Sequence, residues 1–312
     1  MKLTTITQFG ARLSLAKLHI KALLKASKEN NEKINHIIYL VDPGNLLLLE
    51  YLKGVSNKHD NITLLTRDDN TFTNFKRLKK RAPYGGDCNY DFLIRQPEVN
   101  DIFLTLHDDS IITTENLYKD IISAMKNSDF SGYIDTRREI DGYHDILIDN
   151  ERMSDIRLGT WFTCGNTDTY LENNYHIGDY RNYWKYYLMA KYGFSQRLKF
   201  HRQKVWLNGG FDLNIRARLN GKRFNIISDK KIAYHLTKIT GFFASEKRNL
   251  LGYADSKEEV SKWKDYVSSL IGDTEQLEHD YKFMMNLASV FESEEIFDPL
   301  LNKKTLKEIF NP

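Results

Sequence analysis

Short apolar runs alternate with segments of helical spacing through the first half of this 312-residue chain. Three runs of strand character, at 4–8, 36–41 and 61–66, are separated by helix-like segments at 12–26 and 46–55. A fourth run, at 101–106, follows a basic and glycine-containing stretch. Strands that alternate with helices are typical of a parallel sheet covered by helices. The pattern therefore predicts the α/β class, with an open, mostly parallel sheet flanked by helices.

The second half is less regular and predicts a boundary between two units. Helical spacing recurs at 117–125, 175–192 and in the segment that ends at Asn220-Gly221, and strand-like runs occur at 132–135, 161–164, 224–227 and 231–234. From about residue 245 the composition changes to charged helical segments, such as 256–270 and 274–291. We therefore expect an α/β domain over residues 1–245 and a helical C-terminal extension over residues 246–312.

Composition excludes several classes of protein. Two cysteines, Cys88 and Cys164, are too few for a disulfide framework, and no apolar run approaches the roughly 20 residues of a membrane-spanning helix. The N-terminal MKLTTITQFG lacks the apolar core of a signal peptide. A net charge of +3 is too mild to predict a nucleic-acid partner and allows only weak attraction to an anionic membrane. We expect a cytoplasmic protein.

Side chains that can hold a proton or bind a metal follow the predicted strands. Asp42 opens a Val-Asp-Pro-Gly turn, and the fourth strand, in FLTLHDDSII, ends in His107, Asp108 and Asp109. His235 follows the last predicted strand. Ligands of open α/β sheets bind outside the carboxyl ends of the strands. Carboxylates and an imidazole at that edge suit Mg²⁺ or Mn²⁺.

A further acid, Asp212, lies in a GGFD turn that opens the helix ending near Leu219. Each of these acids and histidines also has an ordinary structural explanation. The HDDS segment could be a polar turn that caps a helix, Asp42 favours the start of a turn, and Asp212 could be a helix N-cap. His235 could be a satisfied structural histidine. Residue types alone leave both readings open.

Taken in chain order, Asp42, the HDDS segment, the GGFD turn and His235 resemble the motifs of the inverting GT-A glycosyltransferases of family two. The resemblance covers roughly residues 1–241 and rests on the order of the motifs rather than on close identity. It implies a GT-A fold over residues 1–245. It also implies transfer of a sugar, with inversion, from a nucleotide-diphosphate sugar, preferentially a UDP-sugar, to a hydroxyl of a glycan.

The resemblance also implies which residues bind the donor. Asp42 matches the acidic turn that contacts the nucleotide base. Gly86 and Asn89, in GGDCNYDFLI, match a glycine-then-asparagine stretch before the DxD strand. Asp108 and Asp109 match the DxD element itself, with Asp108 on the donor side and Asp109 as a metal ligand.

The same resemblance assigns the metal ligands and the base. His107 stands where the first acid of the DxD element usually lies, and His235 matches a histidine that ligates the ion in several metal-dependent members. Asp212 matches the general base. A nucleoside-diphosphate leaving group requires a Lewis acid, here Mn²⁺ or Mg²⁺, and a positioned base contributes about 10²- to 10⁴-fold.

The implied partners are a nucleotide-sugar donor and a glycan or lipid-linked glycan acceptor, as in bacterial surface polysaccharide or lipooligosaccharide synthesis at the inner face of the membrane. The C-terminal extension is a candidate for homodimer formation or for peripheral membrane contact. Three alternatives stay open. They are a retaining GT-A transferase, a nucleotidyltransferase on a similar sheet, and a non-catalytic scaffold that binds nucleotide sugars.

Overall fold

The computed structural model describes residues 1–10, 13–41, 43, 46–66, 88–134, 146–178, 183–200, 210–228 and 232–236, apart from five side chains: Ser14, Cys88, Ser154, Tyr183 and Trp184. Two predicted donor-binding residues, Asp42 and Gly86, and the predicted extension over 246–312 lie outside the described residues.

Seven of the described strands form one sheet: β1 (Leu3–Phe9), β2 (Ile34–Leu40), β3 (Ile62–Thr66), β4 (Ile102–His107), β6 (Phe130–Ile134), β9 (Leu158–Asn166) and β11 (Phe224–Ile226). Their order in the sheet is β11-β6-β9-β4-β1-β2-β3. Within it β9 runs antiparallel to both neighbours, β4 and β6, and the other pairs are parallel. The predicted α/β class, with an open and mostly parallel sheet, is confirmed.

Two smaller sheets lie outside the main one. The short strands β5 (Ser110–Ile112) and β12 (Ala233–His235) pair with each other, and β10 (Leu198–Phe200) pairs with β7 (Ile146–Ile148), which pairs with β8 (Glu151–Arg152). The pairing of β5 with β12 sets His235 opposite Ser110. This pairing brings the predicted last histidine to the turn that follows β4.

Helices flank the main sheet. They are α1 (Leu13–Ser27), α2 (Leu46–Ser56), α3 (Cys88–Leu93), α4 (Leu117–Met125), α5 (Met153–Ile156), α6 (Thr167–Glu172), α7 (Tyr183–Lys191) and α8 (Phe211–Leu219), with a 3₁₀ helix at Lys28–Lys33. The central strand β1 is buried along almost its whole length, as expected of a strand covered on both faces. Among the described residues no helix is long and apolar enough to cross a membrane.

One predicted helix is shorter than expected. Helical spacing predicts a helix over 175–192, but α7 begins only at Tyr183 and residues 173–178 are not helical. The backbone N–H groups of Ile177 and Gly178 donate to the carboxylate of Asp91, at 2.5 and 3.1 Å. Because a distant side chain takes these donors, they cannot contribute to a helical ladder.

Candidate metal and donor site

The turn between β4 and β5 carries the acidic pair and is held from two sides. Asp108 Oδ2 accepts a hydrogen bond from the backbone N–H of Gly10 at 3.1 Å, at the end of β1. The backbone carbonyl of Asp109 accepts from the N–H of Leu236 at 2.9 Å, just past β12. These two hydrogen bonds attach the turn to the ends of β1 and β12, and both aspartates are buried.

Three predicted metal ligands converge at this turn: His107, Asp109 and His235. Their ligand atoms all lie within 4.8 Å of one another. Asp109 Oδ1 lies 3.3 Å from His235 Nε2 and 3.9 Å from His107 Nδ1. The two imidazoles are partly exposed, at 32% and 21% of their side-chain areas for His107 and His235, whereas Asp109 is 6% exposed. We call these three residues the His-Asp-His cluster.

The donor set of the His-Asp-His cluster fits a divalent cation. Two atoms that each lie about 2.1 Å from one ion can be no more than about 4.2 Å apart. The two distances from Asp109 satisfy this limit, and the set as a whole needs to contract by at most about 0.6 Å. Two imidazole nitrogens and one carboxylate suit Mn²⁺ and other transition ions better than Mg²⁺, which prefers oxygen ligands.

Aromatic rings hold the two imidazoles. The Trp161 ring stacks on His235 with centroids 4.5 Å apart and planes within 6°. The Tyr133 ring also stacks on Trp161, with centroids 5.0 Å apart. Tyr90 lies parallel to His107 at 6.1 Å. Ring packing of this kind restricts the orientation of an imidazole, so the nitrogens that face Asp109 are positioned before any ligand binds.

Thr160 contributes a polar contact to the same cluster. Its Oγ1 lies 3.2 Å from His107 Nε2. When His107 Nδ1 faces a cation, Nε2 carries the ring proton and donates it to Thr160 Oγ1. Thr160 Oγ1 can therefore accept the ring proton in the tautomer that leaves Nδ1 as the ligand atom. The sequence offers no signal for this role, because Thr160 lies 53 positions away from His107.

Asn89 is brought to the same edge of the sheet. Its side-chain amide donates to Gln8 Oε1 at 2.7 Å, and Gln8 is the register partner of His107 between β1 and β4. The next residue, Tyr90, donates its hydroxyl to the carbonyl of Leu106 at 2.6 Å. These two contacts fix the start of α3 beside the His-Asp-His cluster. The role of Asn89 in donor binding stays a prediction.

Asp212 lies in the first turn of α8, in a closed environment. Its Oδ2 accepts from Arg216 Nη1 at 3.0 Å, and its side chain is 1% exposed. Arg216 also donates to the carbonyls of Asn173 and Asn174, at 2.9 and 2.8 Å. Asp212 and Arg216 thus join α8 to the loop after α6. The role of Asp212 as general base stays a prediction.

Thr160 connects this turn to the cluster. Gly210, which precedes α8, has a positive φ of 83°, a conformation that favours glycine. A Cβ at Gly210 would lie 3.1 Å from the carbonyl oxygen of Leu158 and 3.6 Å from Thr160 Cγ2. Thr160 therefore lies close both to His107 and to the backbone of Gly210.

Asp91, a buried carboxylate that sequence reasoning missed, supports the Gly210 turn through Ile177. Asp91 Oδ1 accepts from the hydroxyl of Tyr170 at 2.7 Å as well as from Ile177. The carbonyl of Ile177 in turn accepts from the N–H of Gly210 at 2.6 Å. Burial, and next the charge of Asp91, raise the pKa of Tyr170 well above its usual value. A lone acid in the apolar segment CNYDFL is the signal that could have identified Asp91.

A second buried residue lies behind the cluster. His19, on α1, is fully buried, and its Nδ1 lies 2.7 Å from the carbonyl oxygen of Ser110. Because that carbonyl can only accept, Nδ1 donates and Nε2 accepts from Thr7 Oγ1 at 3.1 Å. Burial lowers the pKa of His19 from 6.5 to about 4. His19 is therefore neutral at neutral pH and ties α1 to the first residue of β5.

The chain is similar to several solved structures, while no protein-family model and no curated protein sequence matches it. One is Staphylococcus aureus TarS 1–349 in complex with UDP-GlcNAc, at 12% identity over 100% of this chain and 79% of that chain, with a TM-score of 0.45. Another is the galactosyltransferase LgtC in complex with donor and acceptor sugar analogs, at 12% identity, 71% and 72% coverage and a TM-score of 0.42. A third is the glycosyltransferase GlyE of Streptococcus pneumoniae, at 10% identity, 80% and 50% coverage and a TM-score of 0.40. At TM-scores below 0.5 these are similarities only.

Proposed function

We propose that this protein is a GT-A type glycosyltransferase that takes a sugar from a nucleotide-diphosphate sugar, preferentially a UDP-sugar, with the help of a divalent cation. The observation that carries the proposal is the His-Asp-His cluster at the carboxyl end of β4, in an open and mostly parallel sheet. Ligands of such sheets bind at this edge. The predicted donor-side residue Asn89 lies at the same edge.

His107, Asp109 and His235 would hold the cation, with Mn²⁺ favoured over Mg²⁺ by the two imidazoles. Bound there, the ion supplies a Lewis acid for the departing nucleoside diphosphate. The protein's own contribution is orientation. Trp161 and Tyr90 pack against the rings of the histidines, and Thr160 Oγ1 would accept the ring proton of His107 when Nδ1 binds the ion.

Asp42, Gly86, Asn89 and Asp108 would bind the donor. Asn89 already donates one N–H to Gln8, so its second N–H and its amide oxygen are the groups that would meet a donor hydroxyl or base. Asp108 receives the N–H of Gly10, which keeps the end of β1 next to the turn after β4. Through this contact Asp108 would shape the donor cleft as well as line it.

Asp212 would accept the proton of the attacking acceptor hydroxyl in a single displacement that inverts the sugar. A base in this position is expected to contribute about 10²- to 10⁴-fold. The 1% exposure of its side chain means that the acceptor hydroxyl has to be brought to a carboxylate that is closed off from solvent. A site without water suits this chemistry, because water would compete as the acceptor.

The acceptor in this proposal is a hydroxyl of a glycan or a lipid-linked glycan, as in the synthesis of a bacterial surface polysaccharide or lipooligosaccharide. The proposal also keeps the division into a transferase domain at 1–245 and a helical extension at 246–312. The extension would serve dimer formation or contact with a membrane surface.

A second candidate function is supported by one observation. The ion pair of Asp212 with Arg216 occupies the carboxylate that transfer would need. A protein that binds a nucleotide sugar and a cation without transferring the sugar would have the same cluster and the same closed aspartate. The two functions differ in whether the donor is consumed.

A thermal-shift panel of nucleotide sugars, with and without Mn²⁺, tests the proposal. A ligand at about 100 times its dissociation constant stabilises the folded state by about 2.7 kcal/mol. We expect a selective shift for one class of donor that requires Mn²⁺, and a smaller shift when Mg²⁺ replaces it. If no nucleotide sugar raises the melting temperature under either condition, the proposal is wrong.

A further inference from the structure

Residues 183–200, YWKYYLMAKYGFSQRLKF, have an unusual composition for one continuous stretch. Seven of these eighteen residues are aromatic, four are basic, and none is Asp or Glu. The chain as a whole has nearly equal numbers of acidic and basic residues. Arg197 pairs with Asp149, and the three lysines and the aromatic side chains that remain make this stretch a candidate for an interaction surface.

The fold sorts these side chains into an inner and an outer set. Tyr186 and Ala190, on α7, are buried in the core. The outer set contains Leu188, Tyr192 and Phe194, which are 45%, 61% and 76% exposed. The turn after α7 is closed by a hydrogen bond from the N–H of Phe194 to the carbonyl of Met189 at 2.9 Å. The exposed apolar side chains therefore sit on an ordered helix end.

Two lysines border the apolar tip. Lys185 and Lys191 are exposed. The spacing of Lys185, Leu188 and Tyr192 places them on one face of α7 and of the residue that follows it. Lys191 Nζ lies 5.5 Å from the ring centroid of Tyr192. The same ammonium group lies 5.9 Å from the ring centroid of Tyr187, so the charge of Lys191 is held beside two aromatic rings at the end of α7.

We propose that the surface formed by Lys185, Leu188, Lys191, Tyr192 and Phe194 binds an anionic lipid bilayer. Aromatic and leucine side chains insert at the boundary between headgroups and acyl chains, and flanking lysines meet anionic headgroups. The exposed lysines complement the negative charge of anionic headgroups. Lysine is also depleted from protein-protein interfaces, so a lipid surface is favoured over a protein as the partner. We name these five residues the bilayer-binding surface. This inference stands independently of the proposed sugar transfer.

Co-sedimentation of the full chain with vesicles tests the inference. One set of vesicles contains phosphatidylcholine alone, and the other contains equal parts of phosphatidylcholine and phosphatidylglycerol. We expect binding to the anionic vesicles, much weaker binding to the neutral ones, and a loss of binding as salt is raised, since salt screens the lysine contribution.

Two kinds of variant separate the apolar and the electrostatic parts. Phe194→Ala is expected to lower the partition coefficient for anionic vesicles about tenfold, and the double variant Lys185→Glu with Lys191→Glu by about tenfold or more. Matched controls lie on other helices. Leu171→Ala removes an exposed leucine beside Glu172 on α6, and Lys119→Glu reverses an exposed lysine on α4, and neither should change binding.

Three outcomes would overturn the inference. The first is no sedimentation with either vesicle, and the second is an equal effect of the control variants. In the third, Phe194→Ala changes the mass of the protein in solution and leaves vesicle binding intact, which would assign the surface to a second copy of the chain. Because the altered side chains are exposed, circular dichroism of each variant should match that of the parent protein.

Discussion

The His-Asp-His cluster and the Asp212 turn are both built around a buried aspartate, but the two carboxylates meet different partners. Asp109 faces two partly exposed imidazoles at 3.3 and 3.9 Å. Asp212 faces the guanidinium of Arg216 at 3.0 Å within one helix. The first arrangement leaves room for a cation between its groups, and the second already contains its cation.

This difference shows how much the surroundings decide what an acidic residue can do. A buried carboxylate with a guanidinium partner is stable as it is, and removal of either partner leaves an uncompensated charge. A carboxylate beside two imidazoles becomes a strong ligand set when a divalent ion arrives. The cluster therefore has the character of a metal site, whereas the Asp212 turn has the character of a closed ion pair.

The largest expected effect concerns the Asp212 turn. Asp212→Asn keeps the size of the side chain and removes the charge that would accept a proton, so we expect donor consumption to fall about 10²- to 10⁴-fold. The measurement is release of nucleoside diphosphate, together with a thermal shift to show that the donor still binds. Asp168→Asn, in the first turn of α6, is the matched control.

Unchanged turnover in Asp212→Asn would make the comparison sharper still. It would assign Asp212 wholly to the ion pair with Arg216, and another group would have to serve as the base. Loss of donor binding together with turnover would instead show that Asp212 acts on the donor side.

The next effect concerns the cluster. Asp109→Asn replaces an anionic ligand by a neutral amide, and we expect the affinity for Mn²⁺ to fall about 100-fold or more, measured by isothermal titration calorimetry. Asp108→Asn, one residue away, should change Mn²⁺ affinity far less, because its carboxylate is bonded to Gly10. A larger loss at Asp108 than at Asp109 would mean that the ligand has been assigned to the wrong aspartate.

A smaller effect is expected at Thr160, which contacts His107. Thr160→Val keeps the shape of the side chain and removes the hydroxyl that receives the ring proton of His107, so Mn²⁺ affinity should fall about tenfold. Thr160→Ser retains the hydroxyl and should bind Mn²⁺ nearly as well as the parent. Equal affinities for the valine and serine variants would remove Thr160 from the account of the cluster.

The smallest effect concerns the support behind the cluster. His19 has an ordinary pKa of 6.5 when unfolded and about 4 when folded. Between these values the unfolded chain binds more protons, so the free energy of unfolding rises with pH, by at most about 1.4 kcal/mol per pH unit from this residue. His19 thus stabilises the fold fully above pH 6.5, and this contribution is lost as the pH falls toward 4.

Urea unfolding of the parent and of His19→Gln across this range measures the effect. The variant should show a shallower dependence on pH. His36, whose pKa is lowered to about 3 by burial and next by the charge of His19, remains in both proteins. Parallel curves would show that His19 does not carry the dependence.

The class of fold could be predicted from the sequence because β1, β2, β3 and β4 each have a strong apolar pattern and helical spacing lies between them. The strand β5 was not predicted, since three residues after a turn carry little periodicity and the strand exists because β12 pairs with it. The shortened α7 has the same kind of cause, because Asp91 lies far away in sequence from the backbone that it binds.

The sequence predicts the candidate site residues that lie at the ends of strands, but it does not predict the contacts that support them. His107 ends β4 and Asp109 follows it at the carboxyl edge of the main sheet, and the pairing of β12 with β5 brings His235 to them. The ion pair of Asp212 with Arg216 was available from the four-residue spacing on a helix. Thr160 and Trp161 lie on the antiparallel strand β9, whose position beside β4 follows from the tertiary fold rather than from any local pattern.

The flat contact between Trp161 and His235 gives the protein an internal optical probe. The indole lies 4.5 Å from the imidazole, close enough for a positive charge bound to that ring to alter the field at the fluorophore. The chain has four tryptophans, and replacing Trp184, Trp206 and Trp263 by phenylalanine would leave a single emitter beside the cluster. Its emission spectrum would then follow occupancy directly, in real time and without a labelled ligand.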